Sequence, residues 1–125
     1  MTREEIAKWA AAYIDAPIEI RHGHPLWWAV DKFSMPLDDK TSPEDCWEAI
    51  LEIISRKPPS RVLGVLAAGP LENLIHAHGT HLIDRIEMEG KVNPALRHVL
   101  GGVYKSGTED VWNRVLQLLS SPGAV

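Results

Sequence analysis

Glu72, His76, His81, Asp84 and Glu87 are the residues of this chain whose types and spacing come nearest to chemistry. Imidazole nitrogens and carboxylate oxygens are donors that a divalent ion takes from a protein, and a bound ion could activate water for hydrolysis. Glu72 and His76 stand four apart, and His81, Asp84 and Glu87 follow at intervals of three, so each set shares a helical flank. If residues 70–89 fold as a helical hairpin, Glu72, His76, Asp84 and Glu87 converge on one site. His78 cannot join His76 there, because two positions on a regular helix diverge by about 200°. A plainer reading accounts for the same residues. Glu72 serves as a helix-start carboxylate, Asp84 lies away from the Leu82/Ile83/Ile86 face, and Arg85 supplies a counter-charge, which together make a solvated, salt-bridged surface. This reading is preferred, so neither a metal nor a cofactor is expected.

Other candidates are weaker. His22-Gly23-His24 reads as a surface loop, and Cys46, one turn into a helix beside Glu44, Asp45 and Glu48, reads as a small packing residue rather than a nucleophile. Gly101-Gly102-Val103-Tyr104-Lys105-Ser106-Gly107 lacks the glycine before the lysine and the preceding strand of a phosphate loop, so it reads as a helix end and turn. Arg97, His98, Lys105 and Arg114 could gather near it around an anion, although solvated cations are the simpler expectation. No nucleophile elbow and no dinucleotide fingerprint occurs.

Trp28 is a different kind of clue. With Leu26, Trp27, Val30 and Phe33 defining a buried arc, it points about 150° from the arc's centre. A central helix with a second packing layer explains that best; otherwise the indole is exposed as an anchor for a partner protein or a homodimer. The net charge of −4 argues against a general nucleic-acid or anionic-membrane surface. All of it resides in residues 1–45, where nine acids face five bases. A charged partner would therefore be a basic protein meeting this third, with Trp28, Asp38 and Asp39 as the expected partner-binding residues.

The elements that must position these residues are helical. Apolar residues recur at helical spacing nearly throughout, with only Ile18-Glu19-Ile20 alternating like a strand. Thr2 and Glu5 have capping-box spacing ahead of the Ile6/Trp9/Ala10/Tyr13/Ile14 stripe, which ends before Pro17. Pro25 opens a second helix that runs toward Pro36, and Ser42-Pro43-Glu44-Asp45 opens a third that stops at Lys57-Pro58-Pro59. Ser60 caps a fourth. Gly69-Pro70 begins a fifth, Gly79 ends it as a left-handed cap, and Thr80 starts a sixth that reaches about Gly90. Asn93-Pro94 and Thr108 start the last two, and residues 120–125 form a frayed tail. The expected fold is all-α: seven or eight short helices in an irregular orthogonal bundle, one domain over residues 1–119. Trp9, Trp47 and Trp112 lie on main stripes and belong to its core.

The lone Cys46, the absence of a signal-like start and the lack of a long apolar run point to a reducing cytoplasm and a soluble monomer or homodimer.

The stretch Leu66-Ala-Ala-Gly-Pro-Leu-Glu-Asn-Leu-Ile, with His78-Gly79, Ile83-Asp84-Arg85-Ile86-Glu87, Asn93-Pro94, Leu96-Arg97, Leu100-Gly101-Gly102-Val103 and Trp112, resembles a bacterial family of small domains of unknown function. The resemblance spans roughly residues 44 to 115, and Tyr104 stands where that family often has Trp. It implies a helical domain of bacterial origin and no particular activity. Two function classes follow from the sequence: a non-catalytic protein-binding module of accessory or immunity type, which is preferred, and a metal-assisted hydrolase built on Glu72, His76, His81, Asp84 and Glu87.

Overall fold

Local hydrogen bonds start four of the helices where the capping residues stand. In a computed structural model that describes residues 1–121, the Thr2 hydroxyl accepts the Glu5 N–H at 3.0 Å and the Glu5 carboxylate accepts the Thr2 N–H at 3.0 Å. This box opens α1 (Arg3–Asp15). A second box, Ser42 with Asp45, opens α3 (Pro43–Ser55) with Pro43 in its first turn. Asn93 caps α6 (Pro94–Leu100), and Thr108 caps α7 (Glu109–Ser120).

Between α1 and α3 lies α2 (Trp27–Asp31), a helix of 5 residues. It is shorter than expected, and Pro25 stands outside it; its entry is held instead by the His24 ring, whose Nδ1 accepts the Leu26 N–H at 3.0 Å. Ile18-Glu19-Ile20 forms turns, not a strand, and no strand occurs among the described residues.

The larger departure lies in the middle of the chain. Where three separate helices are expected, α4 (Ser60–Leu66), a π-helical turn (Ala67–Leu71) and α5 (Glu72–Val92) run on without interruption. The described residues therefore form six continuous helical segments instead of seven or eight. Pro70 explains the π turn. Proline has no N–H to donate and clashes with the carbonyl four residues back. One extra residue in the turn relieves that clash, and the Glu72 N–H then reaches the Ala67 carbonyl, five positions earlier. The break expected at Gly79 is reduced to a kink at His78 (φ −134°, ψ 16°), beyond which the helix resumes.

Gly79 is not a left-handed cap; it is buried where α7 comes close. A Cβ there would sit 3.0 Å from Val111 Cγ1, and one on Gly90 would overlap Leu118. With Ile83 and Ile86 these glycines form one stripe along α5, and Val111, Val115 and Leu118 of α7 are buried with it. A left-handed conformation is required elsewhere, at Gly107 (φ +77°), whose turn brings α7 back under the Ile75 carbonyl.

One contiguous buried cluster extends from Ile6 of α1 to Leu118 of α7, with Trp9, Trp47 and Trp112 inside it as expected. Phe33 stacks at 4.4 Å on Trp9 and meets Tyr13 edge-on at 5.4 Å, which joins the α2 region to α1. Among the described residues no helix is long and apolar enough to cross a membrane. Of the expected tail, Ser120 ends α7 and the Ser121 carbonyl accepts from the Arg97 guanidinium; residues 122–125 lie outside the described residues.

Candidate functional site

The five residues that look most like a metal site are dispersed by the continuity of α5. A converging site needs a hairpin between residues 72–76 and 81–87, and the unbroken helix forms none. Four of the five have separate partners. Glu72 does not cap its helix; its Oε1 accepts the Tyr104 N–H at 3.0 Å and so ties α5 to the loop after α6. His76 is exposed. His81 Nε2 lies 2.6 Å from Glu44 Oε2 of α3, and four positions on in both helices Arg85 approaches Glu48 at 3.5 Å. The Arg114 guanidinium of α7 donates to Asp84 at 2.6 Å, to Glu87 Oε2 at 3.0 Å and to Glu87 Oε1. Among the described residues no three His, Cys, Asp or Glu side chains group as metal donors.

These pairs are electrostatically consistent. The His81 hydrogen bond holds the Glu44 carboxyl below its ordinary range, and the Arg114 hydrogen bonds do the same for Glu87. Glu87 and Asp84 in turn raise the Arg114 guanidinium further. Three of the four residues that could have gathered around an anion are also engaged: Arg97 with Ser121, Lys105 with Glu109 at 3.0 Å, and Arg114 as described, while His98 is exposed. Cys46 is fully buried, and burial pushes its thiol up to about 12, which removes it as a nucleophile at neutral pH.

On the opposite side of α1 the situation reverses. The buried arc of the second helix is Ala29 and Phe33, with Trp27 and Val30 only half-buried. Ala29 is pressed against α1, where its carbonyl accepts the Trp9 indole N–H at 2.8 Å. This contact turns Trp28 outward. It is 39% exposed, so the second packing layer expected over it is not formed. Trp28 instead forms one wall of an open cleft of about 480 Å³, shared with Glu5, Lys8, Trp9, Lys32 and Lys40. Lys32 Nζ sits 5.5 Å above the Trp9 ring in a cation–π contact and 3.9 Å from Asp38. Among the described residues, Lys8 and Lys40 stand in no ion pair.

Asp38 is used in building this cleft. Its Oδ1 accepts the Thr41 hydroxyl at 2.7 Å and the Lys40 N–H at 2.9 Å, closing the turn that carries Lys40. The Thr41 hydroxyl is the first cause holding its carboxyl below the usual carboxylate range. Asp39 is exposed on the same turn. Sequence reading singles out Trp28 and the acids of this third and misses its lysines. Three of the five bases in residues 1–45 line one cleft, and no spacing in the chain signals it, because they come from α1, the end of α2 and the following turn.

A sequence family described as a family of unknown function (DUF6869) matches residues 16–122. No curated protein and no solved structure gives a match.

Proposed function

The chain belongs to that family of unknown function, and from this premise we propose that it is a non-catalytic protein-binding module that docks through the Trp28 cleft. The observation carrying this reading is the outward indole beside two unpaired lysines. Tryptophan is the side chain most enriched among residues that dominate binding energy, and folding itself gains little from leaving one in water. Of the remaining candidate side chains, Glu72, His81, Asp84 and Glu87 are occupied in bonds to other elements, which supports a binding role over a reaction carried by them. A buried, unpaired Cys46 thiol suits a reducing cytoplasm.

The test is a complex of defined mass. Untagged protein from its native cells should co-purify with an identified partner by size exclusion and light scattering. Trp28→Ala, with an unchanged circular dichroism spectrum, should release it. A complex that survives Trp28→Ala, or a chain that stays monomeric and unaccompanied, overturns the reading.

A further inference from the structure

Resting on that reading, we propose that the occupant of the Trp28 cleft is an acidic segment of a partner protein, with an apolar side chain seated on the indole and carboxylates meeting Lys8, Lys32 and Lys40. This reverses the sign expected from the charge of the N-terminal third. The average over residues 1–45 is acidic, but of its nine acids only Glu5 lines the cleft, while the lysines of three separate elements gather in one place. Glu5, the one carboxylate in the cleft wall, is committed to the Thr2 N–H at 3.0 Å in the box that opens α1. Asp38 is committed through Oδ1 to Thr41 and the Lys40 backbone, and its Oδ2 lies 3.9 Å from Lys32 Nζ, so Lys8 and Lys40 carry the charge that no acid of the described residues meets. Lys32 is oriented by the Trp9 ring beneath it, which leaves its charge presented with less freedom than an ordinary surface lysine.

Lys8 and Lys40, in no ion pair among the described residues, leave the cleft with positive charge that an anionic occupant would complement. The shape selects the kind of anion. Small-molecule sites enclose about 70–90% of their ligand, whereas this cleft is open along its length and its lysines stand at the rim. A partly exposed indole wall bordered by lysines matches the anatomy of a protein interface: an aromatic anchor with polar groups around it.

The inference is tested with fluorescein-labelled glutamate-rich peptide containing one leucine, titrated by anisotropy against the full chain. Controls are the same peptide with glutamine for glutamate, its lysine counterpart, and a single-stranded oligonucleotide of equal charge. The glutamate peptide should bind and the other three should not. Binding should weaken between about 0.01 M and about 1 M salt, as the screening length falls from about 30 Å to about 3 Å. Trp28→Ala should weaken it about thirtyfold. Lys8→Gln and Lys40→Gln should each weaken it about two- to fivefold, while Lys105→Gln on the α6–α7 loop leaves it unchanged. Absence of glutamate-peptide binding overturns the inference, as does equal binding of the oligonucleotide. Trp28-dependent binding of the glutamine or lysine peptide in its place overturns the acidic assignment and leaves docking at the cleft standing. A native complex that ignores Trp28→Ala overturns the docking itself.

Discussion

Where α5 meets α3 and α7, polar side chains are partnered across the seam: Glu44 hydrogen-bonds His81, and the charges of Glu48 with Arg85 and of Asp84 and Glu87 with Arg114 are matched. Around α2, by contrast, Lys8 and Lys40 have no ion-pair partner among the described residues and an indole faces water. The first region holds His81, Asp84 and Glu87, three of the five residues that look most like chemistry in the sequence, and it spends them on bonds between helices. The second holds ordinary lysines, and their convergence makes the cleft proposed as the docking site. Residue type is therefore a poor guide to function in this chain unless the groups that share a surface are known.

The contrast implies that changes in the α5 region should register as stability and changes in the α2 region as binding. The largest effect is expected from Ile86→Ala. Ile86 is fully buried on the α5 stripe, and its truncation should cost about 2–5 kcal/mol in denaturant unfolding; a loss under about 1 kcal/mol would show that α5 is not the central strut. Next comes Gly90→Val, whose added carbons meet Leu118 at the close approach of α7. It should cost about 1–3 kcal/mol, and a neutral or stabilised variant would break the account of why glycine stands there. Trp28→Ala should cost about 1–2 kcal/mol for the part of the indole that is covered while abolishing the complex, so a loss above about 3 kcal/mol, that of a fully buried tryptophan, would place Trp28 with the structural residues.

The smallest effect concerns acid. The Glu87 carboxyl titrates below its ordinary value of 4.5 in the folded protein because Arg114 favours its charged form. A depressed carboxylate contributes stability that is fully present above the unfolded value and is lost as pH falls through the folded one. The stability gap between the native chain and Arg114→Gln should hold steady above about pH 4.5 and close below it. A gap that widens in acid would contradict the pairing.

Much of the fold was legible because its signals are local. Thr2, Ser42, Asn93 and Thr108 cap the helices expected of them, and the three stripe tryptophans are buried as their spacing implies. The glycines and proline of the middle segment were misread. A glycine serves a left-handed turn or a close helix contact equally well, and at Gly79 and Gly90 the second cause applies. Pro70 stops a helix only if the turn cannot widen, and here it widens. The expected His and carboxylate convergence fell with that misreading, since it depended on a hairpin. Trp28 was legible as an anomaly on its own helix. Its lysine neighbours were not, because Lys8, Lys32 and Lys40 come together only through the crossing of α1 and α2.

What the sequence determined by itself is the helical class, the starts of most helices and the apolar faces they bury. Capping bonds span three residues and burial stripes repeat every turn, so both are written within a short window. What only the tertiary structure decided is that residues 60–92 run as one segment, that α7 lies against two glycines of it, and that an acid-rich third of the chain presents a basic cleft. Those outcomes depend on which elements cross and which charges find partners, and Coulomb and packing energies act through distances in space rather than positions along the chain.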